Sequence, residues 1–125
     1  MSEDRKPRSV YAVGEEPDPR FTLANERTAL AWMRTALALV AGGVTLISVA
    51  SVAGLPRWAA LVGGGACAGG ALLALRAVTG WARVERALRT GQALPAPRAL
   101  TVLATAVVVL SLVTLGLGML QELRR

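Results

Sequence analysis

The chain has 125 residues, a formal net charge of +6 and a hydrophobic fraction of 54%, of which little is aromatic. That length holds one domain. Its Ala, Val and Leu gather in long runs with charges only at their ends, whereas a small water-soluble domain spaces polar residues through its helices. The basic residues flank those runs, where membrane topology alone accounts for them, so nucleic acid is not an expected partner. With no histidine and one cysteine, Cys67, the usual zinc and copper ligand sets are missing, and neither metal nor cofactor is expected.

Residues 1–17 mix charges with Ser, Pro and Gly and show no apolar period, which reads as a flexible cytoplasmic tail. Asp18-Pro19 then suits a helix start, the carboxylate capping free N–H groups and the proline fitting the first turn. Residues 18–125 form the membrane domain. Uncharged runs cover 35–55, 58–75 and 99–121, each long enough to cross about 30 Å of hydrocarbon. The spans are expected at about 29–55, 58–77 and 99–121, which makes the fold class an all-α membrane protein, a three-transmembrane-helix bundle. Gly54-Leu55-Pro56-Arg57 is the first turn. Residues up to Arg89 extend the second helix, and Thr90-Gly91 with Pro95 and Pro97 ends it.

Orientation follows from the Lys/Arg excess of the tail and the second loop. Both are placed in the cytoplasm, with the C-terminus outside the cell membrane; Trp32 and Trp81 then mark the inner interface and Trp58 the outer one.

The entry to the first span carries the most information. Arg20, Arg27 and Arg34 recur every seven residues, which on an α-helix is about 20° short of two turns, so the guanidinium groups form a ladder on one face. The same face continues through Ala38, Ala41, Thr45 and Ser48. Basic residues at a mouth with small or hydroxylated ones deeper suit a pore or a packed interface, and guanidinium pairs with phosphate in a bidentate fashion. The competing reading has Arg34 snorkelling to headgroups and Arg20 and Arg27 binding anionic lipid. Asn25, Glu26 and Thr28 beside the arginines suggest a supporting hydrogen-bonded network. In the second helix Gly65 and Gly69 form a pair that permits close helix approach, and Thr114 and Gly118 have the same spacing in the third. No nucleophile has a base beside it, so the chain is not expected to be an enzyme.

The run Leu23-Ala24-Asn25-Glu26-Arg27-Thr28-Ala29-Leu30-Ala31-Trp32-Met33-Arg34-Thr35 resembles the domain of unknown function 202 family. That family includes YidH-like bacterial inner-membrane proteins and the membrane domain of fungal vacuolar transporter chaperone subunits. The likeness covers roughly residues 18–120. In the chaperone complex the domain is pentameric, and its first helices line a polyphosphate channel with basic residues at the entry. By resemblance, Arg27 matches the basic residue of the Asn-Glu-Arg-Thr motif, Arg20 a basic position seven residues earlier, and Arg34 the bacterial branch. The resemblance therefore implies a homo-oligomer in the lipid bilayer serving as an anion or polyphosphate conduit, or as a subunit of one. The alternative is a non-conducting scaffold or accessory subunit that binds anionic lipid or a partner protein.

Overall fold

A computed structural model describes residues 5–96 and 98–124, apart from the side chains of Arg98 and Ala99. Four helices follow one another, α1 over Arg8–Tyr11, α2 over Pro19–Val52, α3 over Arg57–Thr90 and α4 over Arg98–Leu123, and no strand occurs among the described residues. At 34, 34 and 26 residues, α2, α3 and α4 run about 51, 51 and 39 Å, all longer than a hydrocarbon core of about 30 Å. These three are long and apolar enough to cross a membrane.

The helix ends follow from local chemistry. Asp18 Oδ1 accepts the backbone N–H of Arg20 at 2.9 Å, a cap on the free donors that open α2. Both α2 and α3 finish the same way. Gly54 and Gly91 take φ of 63° and 65°, and the following N–H groups reach back five residues, Leu55 to Ala50 O and Gln92 to Ala87 O, each at 3.0 Å. Left-handed glycine closing such a bond is the Schellman ending.

The described residues fall into two compact units, each with its own packing. The first takes in Met1–Leu37 and Ala71–Ala96, the second Ala38–Gly70 and Pro97–Arg125. In the second unit, α2 and α3 meet through glycine. A Cβ built on Gly63 would lie 2.8 Å from Gly43 O, and one on Gly43 would lie 2.6 Å from Cys67 Sγ, so neither position has room for a side chain. Cys67 Sγ itself donates to Val40 O at 3.6 Å. The contact expected at Gly65 and Gly69 lies elsewhere, since a Cβ on either would meet nothing within 4 Å. Sequence spacing shows which residues are small; which of several small faces meets a neighbour is decided by the rotation of the helix. Gly118 is equally open. The α3 and α4 segments of this unit are joined by Trp58 Nε1, which donates to Gln121 Oε1 at 3.1 Å.

Burial inside the apolar windows is slight, 17% for α2, 17% for α3 and none for α4. In water such helices would leave most of their apolar surface exposed. In lipid that surface is already solvated, and small-residue contacts with a few hydrogen bonds suffice to hold helices together.

In the first unit the amino-terminal segment departs from the expected flexible tail. Val10 is buried, the Tyr11 and Trp81 rings stack at 6.3 Å with a 57° tilt, and Arg5 pairs with Glu16 at 2.7 Å. Glu15 N–H donates to Arg89 O at 3.0 Å, satisfying one of the carbonyls that the end of α3 leaves free. Gly14 makes this approach with φ 66°, and a Cβ there would collide with Arg89 O. Of the side chains only Val10 and Tyr11 pack here, too few to give an apolar period, and the other contacts are made by backbone groups of Ser9, Tyr11, Gly14 and Glu15.

Candidate functional site

The site grows from two faces of one α2 segment. Asn25 is half-buried and Ala36 is buried; their eleven-residue separation is only about 20° more than three turns, so they share the face that packs inward. Arg27 stands two residues from Asn25, a rotation of about 200°, and therefore points the opposite way. Arg20, Arg27 and Arg34 are all exposed on a helix unbroken from Pro19 to Val52. Among the described residues none of the three side chains has a hydrogen-bond or ion-pair partner.

The inward face meets a buried carboxylate. Glu85 on α3 is fully buried. Thr22 Oγ1 donates to its Oε1 at 3.0 Å, and Asn25 Nδ2 donates to its Oε2 at 3.2 Å and to Trp81 O at 3.1 Å. One turn further along α3, Arg89 Nε lies 3.9 Å from Glu85 Oε1, and its guanidinium sits 4.9 Å from the centre of the Tyr11 ring. The ammonium-like charge of Arg89 over an aromatic face adds attraction where water is excluded. Arg86 Nη1 donates to Ser9 O at 3.1 Å, so the basic end of α3 also grips the amino-terminal segment.

Of the residues expected to support the arginines, Asn25 faces away from Arg27 and belongs to the clasp around Glu85 instead. Thr28 joins neither, for its hydroxyl donates to Ala24 O on its own helix at 3.0 Å. Glu26 is exposed and lines a groove of about 260 Å³ with Ala29, Leu30, Met33, Ala77 and Trp81. Sequence reasoning missed Thr22, Glu85 and Arg89. A signal was present, because Trp81, Glu85 and Arg89 recur every four residues along one helix face and Glu85 is the lone acid of α3. A single acid among arginines reads equally well as a solvated charge until its neighbours are known.

Three apolar helices, an inward polar clasp and an outward arginine ladder define a multi-pass α-helical membrane protein. The family model described as "Domain of unknown function (DUF202)" matches residues 20–87, from the first rung of the ladder to the turn after Glu85. The chain belongs to this family, as its Asn-Glu-Arg-Thr run implies. It is 38% identical over 108 residues to the inner membrane protein YidH of Escherichia coli K12, covering 86% of this chain and 94% of that one. YidH of Shigella flexneri matches to the same extent. An uncharacterized protein of Mycobacterium tuberculosis is 40% identical over 87 residues, 70% of each chain. No solved structure matches.

Proposed function

We propose that this protein is a homo-oligomer in the cell membrane, its first long helices set around an axis, serving as an anion or polyphosphate conduit or as a subunit of one. Its amino terminus lies in the cytoplasm and its carboxy terminus outside. The observation that carries the reading is the state of the ladder. Three guanidinium groups on one face of an unbroken helix are exposed and have no partner among the described residues, while the acid of the neighbouring helix is engaged on the opposite side by Thr22, Asn25 and Arg89. Each rung is about 10 Å from the next, a spacing that suits a chain of phosphates better than one small anion. Ala38, Ala41, Thr45 and Ser48 are also exposed, and the hydroxyls of Thr45 and Ser48 are satisfied by carbonyls of α2 itself.

The test is reconstitution into liposomes with an anion-flux readout. Replacing Arg27 and Arg34 together by Ala is expected to lower flux about tenfold or more, the scale on which focused charge raises local ion supply. Unchanged flux in that variant overturns the conduit. Wild-type protein that binds polyphosphate without passing any anion places it instead among non-conducting scaffolds.

A further inference from the structure

The leucines of α2 keep the same seven-residue spacing as its arginines. Leu23, Leu30 and Leu37 are 59%, 64% and 64% exposed, and at about 100° per residue they form one line along the helix. Depth decides what surrounds them. The uncharged run begins at Thr35, so Leu30 stands about 8 Å and Leu23 about 18 Å beyond the hydrocarbon edge. Both clear a headgroup layer of about 5–7 Å. Lipid covers Leu37, but the other two face water. We propose that a second copy of this chain packs along this line, α2 against α2.

Charge argues for a copy rather than another partner. At its level the leucine line has Glu26 about 50° to one side and Arg27 about 50° to the other. Both side chains are exposed. The bilayer gives every copy the same direction and depth, so equal residue numbers lie at equal heights. Closed rotational symmetry then turns the arginine flank of one copy toward the glutamate flank of the next. Leu23 and Leu30 meet their counterparts, and Glu26 takes Arg27 of the neighbour. Such flanking pairs set partner choice and orientation in parallel coiled coils. An unrelated protein would need its own leucine period and both charges at matching heights. A copy has all three by symmetry.

The inference rests on the homo-oligomer proposed above and names the face that builds it. It also divides the ladder. Seven residues to either side of Glu26 stand Pro19 and Met33, so no acid meets Arg20 or Arg34 across this contact. Those two rungs stay free for anions, while Arg27 also serves assembly.

The test is disulfide formation in liposomes, in a Cys67→Ala background. Leu30→Cys is expected to give a cross-linked dimer under mild oxidation. Thr28→Cys, also exposed but about 150° around the helix from the leucine line, is not. Glu26→Arg or Arg27→Glu sets like charges at the contact, and each is expected to lower the Leu30→Cys yield about fivefold, the scale of one exposed ion pair. The double variant, with the two charges exchanged, is expected to restore it. Native mass spectrometry counts subunits in the same samples. An oligomer that does not cross-link at Leu30→Cys, or one that the double variant fails to restore, overturns this face and leaves the homo-oligomer standing. A monomer overturns both.

Discussion

Placing Glu85 and Arg89 out of water costs several kcal/mol per ion, and their mutual attraction offsets this only when the remaining polar atoms are satisfied. Thr22 and Asn25 do that for the carboxylate, and the Tyr11 ring faces the guanidinium. Removing one charge therefore does more harm than the weak 3.9 Å contact would suggest. Glu85→Ala leaves Arg89 buried and unpaired, and is expected to lower stability by about 3–5 kcal/mol, measured as the thermal midpoint in detergent. Asn25→Ala strands one carboxylate oxygen of Glu85, while the Trp81 carbonyl keeps its helical bond, an expected loss of about 1–3 kcal/mol. Arg27→Ala, on the opposite face, should change stability by less than about 0.5 kcal/mol by the same measurement. The ladder was legible in the sequence because a seven-residue period is visible in one dimension. The clasp was not, because Thr22 and Asn25 stand 63 and 60 residues from Glu85 in sequence and meet it only when α3 lies beside α2.

Among the helices, glycine position separates contact from mere smallness. Gly43→Val would drive a side chain into Gly63 O and Cys67 Sγ, and is expected to cost about 1–3 kcal/mol as the helices part. Gly65→Ala should be neutral or stabilising by up to about 1 kcal/mol, since Ala favours helix and the space is open. A thermal midpoint series on the two variants distinguishes them. The amino-terminal segment belongs to the same scale. Gly14→Val cannot keep φ 66° against Arg89 O, so the segment should lift from α3 and trypsin should cleave at Arg8 faster than in wild type. The three long helices, their caps and the break at Thr90-Gly91 were readable from composition, Asp18-Pro19 and the glycines. The docking of Val10 and Tyr11 was not, for a four-residue helix leaves no periodic trace.

For the molecule as a whole, the apolar windows are almost entirely unburied within one chain. The number of spans was legible because hydrocarbon imposes a minimum length on any crossing helix. Helix rotation was not, because all sides of α4 are apolar and such a helix has no preferred face. What distinguishes this chain from three inert lipid-soluble rods is therefore concentrated in its first unit, where charge, aromatic and amide groups coincide.

The end of α3 depends on nothing further along the chain than Gln92. Gly91 and the bond from Gln92 to Ala87 complete that ending with backbone atoms, and residues 92–96 beyond them are exposed and outside any helix. A peptide tag spliced into 93–96 should consequently leave both neighbouring helices undisturbed. Antibody access to that tag, in intact and in opened cells, then reports which side of the membrane the loop occupies.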